Sequence, residues 1–264
     1  MANSGRWILL VDEMFIAYFD ASGAEEQEAM TVAGYVSTVE RWERFKTDWK
    51  LVLAHYNVPH FHMREFAGSV RHSPFESWKG KEGTRRAFLT DLVDVTKTHV
   101  FHSFGATVLM ADYNYASKRY ALSRMAGNAY SFCGRACAAK LNRWMKANGH
   151  KDSVRFVFDR GDLGKGVLTK VFMRDGFSAP EFEQSRDGKD GSEGTLPLQT
   201  ADFAAWEISR LAKHTEAGLL RSLRDVRGSF KALSTISNTW DIYTRDKLVG
   251  FCIRYLSARS PAIK

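Results

Sequence analysis

The stretch MFIAYFD, residues 14–20, is an unbroken apolar run that ends on aspartate and leads into Ser22-Gly23. A run of this length, stopped by turn residues, predicts a β-strand with a carboxylate at its C-terminal end. Ten residues on, MTVAGYV (residues 30–36) predicts a second strand, so residues 14–36 make a hairpin. Residues 40–56 then carry Trp42, Phe45, Trp49, Val52 and Leu53 at helical spacing. A compact polar and aromatic segment, FHMREF, occupies residues 61–66, and a polar loop spans 68–83.

Helix and strand alternate from there. A helix is predicted over 84–98, with Phe88, Leu89, Leu92 and Val95 inward, and a third strand over 100–110. A long helix follows. SVRFVF (153–158) is a fourth strand, stopped by Asp159-Arg160-Gly161. A short helix over 163–173 and a fifth strand over 180–184 come next. Residues 186–194 (RDGKDGSEG) have loop composition, and 198–212 form a strongly apolar helix. An initial hairpin followed by alternating elements defines the fold class: α/β, a mixed sheet flanked by helices. Residues 1–212 form the domain, and residues 213–264 form a helical C-terminal extension packed on it, as a cap or a surface for self-association.

The 264 residues are 44% hydrophobic and 26% charged, which excludes wholesale disorder and permits a core without staples. No apolar stretch reaches the roughly 18 residues of a membrane-spanning helix. The opening MANSGRW has no basic region followed by an apolar one, so no secretory signal is expected. Three cysteines cannot all pair within one chain, and their scarcity suits a reducing compartment; the cytoplasm is the expected location.

Lys and Arg total 38 against 30 Asp and Glu, a formal charge of +8, which favours anionic partners and nucleic acid above all. Between Tyr113 and Lys151 there is no acidic residue. Read as one helix, that stretch sets Arg124, Arg135 and Lys146 eleven residues apart, about three turns, on one stripe. Such a stripe suits phosphates, or is simply a solvated face.

Three carboxylates occupy unusual places. Asp20 and Asp159 each end an apolar strand before a turn, and Asp202 sits early in the helix LQTADFAAWEI. Open α/β sheets bind ligands at strand C-terminal ends, and neighbouring aspartates there repel unless a proton or cation intervenes. Mg²⁺ or Mn²⁺, hard and oxygen-seeking, suits them. Each aspartate taken alone is equally a good turn or cap residue. Gln199 lies one turn before Asp202, on the same side of the helix.

These segments, taken in order, resemble an uncharacterised RNase H-like family, DUF3800. YFDASG (18–23) is similar to its Asp-Glu-Ser-Gly signature, FHMREF (61–66) to its His-x-x-acid segment, FVFD (156–159) to its strand ending in Asp, and LPLQTADFAAWEISR (196–210) to its Leu-Gln-x-Ala-Asp helix. The resemblance covers residues 14–212. It implies an RNase H-like fold and metal-dependent hydrolysis of nucleic-acid phosphodiesters. Asp20, Asp159 and Asp202 would be the metal ligands, Glu65 or His62 an accessory ligand or proton-transfer group, and Ser22 and Gln199 supports beside them. The family's Glu after the first Asp is Ala21 here.

On that reading, two Mg²⁺ or Mn²⁺ ions about 3.5–4 Å apart share Asp20 and act on a phosphodiester of DNA or RNA. Arg160 or Lys165 would hold a phosphate. The alternatives are an RNase H-like module that binds nucleic acid without turnover, and a phosphohydrolase of small nucleotides. His60 and His62 with Cys133 and Cys137 could supply zinc-binding atoms, or be two strand histidines and two buried thiols. Trp78, in the polar loop, could stack on a base or belong to the core.

Overall fold

A computed structural model describes residues 14–23, 27–151, 153–161, 164–188, 194–216 and 226–257. Six strands form one mixed sheet: β1 (Phe15–Ser22), β2 (Ala29–Thr38), β3 (His102–Leu109), β4 (Val154–Asp159), β5 (Glu181–Glu183) and β6 (Asn238–Tyr243), in the order β5-β4-β1-β2-β3-β6. The first three run antiparallel as a meander. β4 lies parallel to β1, β5 to β4, and β6 to β3. The mixed sheet flanked by helices, expected of an RNase H-like α/β fold, is the architecture of the chain.

The apolar opening run explains why β1 is central. Its side chains alternate: Phe15, Ala17 and Phe19 enter one core, and Ile16 and Tyr18 enter the other. A strand with apolar residues on both faces needs helices on both faces. On the Tyr18 side lie α1 (Val39–His55), α2 (Met63–Gly68), α3 (Glu82–His99), α8 (Leu196–Glu216) and α9 (Gly228–Ser234). The Phe19 side carries α4 (Met110–Tyr120), α5 (Leu122–Ala126), α6 (Ala129–Ala147), α7 (Lys165–Arg174) and α10 (Arg245–Ser257).

α8 is the innermost helix and packs on β1 and β2. Small residues allow this close approach: Ala201, Ala204 and Ala205 are fully buried beside Leu198 and Phe203. α1, with Trp42, Phe45, Trp49 and Leu53 inward, and α3, with Phe88 and Leu92 inward, cover α8 from outside. α8 is therefore buried on almost every side, and Gln199, Thr200, Asp202, Glu207 and Ser209 on it are buried polar groups. Burial penalises each unless it is bonded, and Gln199, Thr200, Asp202 and Glu207 all have side-chain hydrogen bonds.

Two expectations need correction. The cationic stretch is not one helix. Ala121 (φ 56°) and Gly127 (φ 76°) take left-handed backbone and divide it into α4, α5 and α6. Arg124 thus lies on a different helix from Arg135 and Lys146, and the three-turn stripe does not exist. The C-terminal extension is not only helical: β6 pairs with β3 and enlarges the sheet. Trp78 is core, 8% exposed and packed edge-on against Phe75 and Phe88. Part of the 186–194 loop and part of 213–231 lie outside the described residues.

Candidate functional site

Parallel pairing of β1 with β4 sets Phe19 opposite Phe158, so Asp20 and Asp159 end neighbouring strands at the same level. Strand alternation then fixes their direction. Asp20 shares a face with Ile16 and Tyr18, and Asp159 shares one with Val157; both faces look toward α8. Asp202 rises from the first turns of α8 on that side and is 8% exposed. Three residues remote in sequence thus lie on the α8 side of the sheet, toward the C-terminal ends of β1 and β4.

Each carboxylate has one oxygen fixed by a backbone N–H. Asp20 Oδ1 accepts from Ala21 N at 2.7 Å, Asp159 Oδ1 from Gly161 N at 2.6 Å, and Asp202 Oδ2 from Met63 N at 2.6 Å. Burial raises the pKa of Asp202. A charge on His62, the Met63 N–H and the more distant Arg186 pull it down, and the negative charge of Asp159 pushes it further up. Asp159 and Asp202 are therefore close enough to repel through the protein interior. Among the described residues, no three His, Cys, Asp or Glu side chains are gathered tightly enough to ligate one ion.

The flank is built by the segment before α2. His60 Nε2 meets Glu65 Oε2 at 2.9 Å, and Arg186 Nη1 donates to Glu65 Oε1 at 2.6 Å. His62 Nδ1 stands 3.6 Å from the same Oε1, too far for a hydrogen bond, and is buried without a hydrogen-bond partner among the described residues. Burial opposes ionisation of Glu65. The His60 hydrogen bond and the charges of His60, His62 and Arg186 outweigh it and hold the carboxyl below its ordinary range. Glu65 is thus an anion already committed to His60 and Arg186.

Gln199 holds these parts in register. Its Oε1 accepts from Trp49 Nε1 at 2.9 Å and from Phe61 N at 3.0 Å, and its Nε2 donates to Ser185 O at 2.8 Å. One buried side chain therefore joins α1, the His60–His62 segment and the residue before Arg186 to α8. Ser22, two residues past Asp20 on β1, lies on the same face of the strand.

The other expected residues lie elsewhere. Arg160 is exposed at the turn after β4, and Lys165 begins α7, with its Nζ 5.9 Å from the centre of the Phe182 ring. Arg135 and Lys146 are on α6, across the sheet from α8, and Arg135 is bonded to Asp175. Lys140, in the same cationic stretch, is buried and bonded to Gly105 O at 2.7 Å and Asp241 at 3.0 Å. Cys133 and Cys137 lie in the α6 core, and burial raises both thiol pKa values. His60 and His62 belong to the segment beside α8, so the sheet separates them from the two thiols. Ala21 packs against the α6 core, away from the face of Asp20.

Arg186 escaped the sequence reading. It is one of several charged residues in a loop of glycines and charges, and no spacing distinguishes it. His60 entered only as a zinc candidate, although its place five residues before Glu65 foreshadows their pairing.

No family model, no curated protein and no solved structure matches this chain.

Proposed function

We propose that the chain is a metal-dependent hydrolase of nucleic-acid phosphodiesters that works at Asp20, Asp159 and Asp202. One observation carries this reading: Asp202 is buried above the ends of β1 and β4, where burial and the charge of Asp159 both oppose its ionisation. Evolution rarely leaves such a group without a charge to meet it. Three aspartate carboxylates suit a hard cation, Mg²⁺ or Mn²⁺, which they would hold. The order of the four DUF3800-like segments supports the same reading.

When bound, the ion supplies an activated water and charge stabilisation at the phosphate. The protein's part is positioning. Backbone N–H groups of Ala21, Gly161 and Met63 fix one oxygen of each aspartate. His62 Nδ1, within the site and lacking a partner, is the group suited to carry a proton. Glu65 holds His60 through the contact at 2.9 Å and places a negative charge 3.6 Å from His62 Nδ1.

The test is cleavage of end-labelled DNA and RNA in Mg²⁺, Mn²⁺ or EDTA by the wild type and Asp20→Ala. Metal-dependent cleavage lost in the variant is expected. Equal cleavage by both proteins ends the proposal. A second reading, nucleic-acid binding without turnover, is favoured by the lack of three gathered ligands among the described residues. Binding without any metal-dependent cleavage would select it.

A further inference from the structure

A cleft of about 570 Å³ runs between α3 and α9, on the same side of the sheet as α8. Its floor is apolar, made by Phe66, Leu89, Val93 and Ala232. Arg86 and Lys97 stand along one wall, both exposed. They are eleven residues apart on α3, with Thr90 and Val93 between them on the same face, so about 16 Å of helix separates the two charges. Neither has an ion-pair partner among the described residues.

The remaining charges of the cleft are mostly committed. Arg85 donates to Phe66 O at 2.8 Å and Ser69 Oγ at 2.9 Å, and its guanidinium sits over the Phe66 ring at 4.3 Å. Arg227 lies 3.2 Å from the buried Glu207. Of the two lining carboxylates, Glu82 lies 3.8 Å from Arg85, and Asp94 is on α3, one turn before Lys97. The cleft thus keeps a cationic wall over an apolar floor.

Its position matters as much as its charge. Phe66 adjoins Glu65 on α2, so one end of the cleft is next to the acidic site. Arg227 at the other side is anchored to Glu207, five residues and about 7.5 Å of helix beyond Asp202. The Phe66 end of the cleft is less than one turn of α2 from Met63, whose N–H bonds Asp202.

We propose that this cleft is a track for a single strand of nucleic acid. Arg86 and Lys97 would take phosphates, and the half-buried Leu89 and Ala232 of the floor would meet the bases. Cations that follow a backbone beside surfaces that accept any base are what single strands require. The inference takes its substrate class from the hydrolase reading above and assigns that substrate a place.

The experiment is fluorescence anisotropy with a labelled single-stranded oligonucleotide in EDTA, where hydrolysis cannot interfere, over a series of salt concentrations. Arg86→Glu with Lys97→Glu is expected to weaken binding at least about tenfold. The slope of log K against log salt should fall in magnitude by about 1.4, two phosphates for a single strand. Arg143→Glu with Lys146→Glu, the same charge change on α6, should have less than about a third of that effect. Equal losses in both double variants would overturn the proposal, as would no loss in either, no binding by the wild type, or equally tight binding of an acidic peptide. A parallel Mn²⁺ cleavage assay separates the two ideas. Binding through Arg86 and Lys97 without cleavage leaves the track standing and removes the hydrolase. Cleavage with an unchanged KM in Arg86→Glu/Lys97→Glu does the opposite.

Discussion

Gln199 Oε1 accepts the indole N–H of Trp49 at 2.9 Å across 150 residues of sequence. The same oxygen accepts Phe61 N at 3.0 Å, and the amide nitrogen of Gln199 holds Ser185 O. Removing this side chain leaves two buried donors and one acceptor without their partner. Gln199→Ala should therefore cost about 3 kcal/mol, at roughly 1–3 kcal/mol for each buried group left unsatisfied. The melting temperature would fall roughly 6–12 °C for a chain of this size. A fall below about 2 °C, measured by calorimetry, would show that Gln199 is not the clamp described.

Arg135 looks in the sequence like a phosphate contact, and its surroundings argue for a structural role. Its Nε bonds Asp175, and its guanidinium lies 5.2 Å from the Phe251 ring. Burial works against ionisation of Asp175, but hydrogen bonds from Arg174 and Arg135, together with their charges, hold the carboxyl below its usual range. The stabilisation is therefore present above the unfolded carboxylate pKa, near 3.9, and is lost as pH falls through the lower native value. Asp175→Asn should destabilise the protein at pH 7 by about 2 kcal/mol. Urea titrations at pH 7 and below pH 4 check this. A deficit that persists unchanged in acid would contradict the ion-pair origin.

Ala21 stands where the DUF3800 signature that YFDASG resembles has glutamate, and its side chain packs against the α6 core while Asp20 faces α8. A carboxylate restored at position 21 would sit on the wrong face to join Asp159 and Asp202. Ala21→Glu should accordingly leave Mn²⁺ affinity within about twofold of wild type, a difference below about 0.4 kcal/mol. Calorimetric Mn²⁺ titration tests it. A gain of tenfold or more would mean that the end of β1 turns its side chains differently.

How much of this was legible beforehand depends on the range of the interaction. The strands that carry Asp20 and Asp159 could be read because an apolar run stopped by turn residues is a local signal, although β1 continues past Asp20 to Ser22. Their meeting could be expected only from the order of the segments. The division of residues 113–151 into three helices could not be read from charge. It depends on left-handed backbone at Ala121, where no glycine marks the break. Lys140 shows the limit of charge counting: one of the cations between residues 113 and 151, it lies in the core, bonded to Gly105 O and Asp241. β6 was missed because NTWDIY carries one charge and little alternation, and only pairing with β3 makes it a strand. Arg186 became visible only once Glu65 had a position in space.

The last prediction turns on Asp202. Its native pKa is raised by burial and by Asp159, against the opposing pull of His62, Met63 N–H and Arg186. A raised carboxyl pKa favours folding below the unfolded value near 3.9, and that advantage is lost as pH climbs toward the native value. At neutral pH the ionised side chain is therefore a cost, and Asp202→Asn should remove it while still accepting from Met63 N. Without metal, the variant should melt about 2–4 °C above wild type, equivalent to about 1 kcal/mol. Below pH 4 the gap should close. Mn²⁺ should reverse the order at neutral pH, because only the ionised site gains the ion's charge. At a hundredfold excess over Kd, wild type should gain about 2.7 kcal/mol and the variant much less. Thermal unfolding of both proteins in EDTA and in Mn²⁺ provides the measurement. Equal metal-induced shifts would remove Asp202 from the binding site, and a variant less stable than wild type in EDTA would mean that its buried charge is already balanced from within the protein.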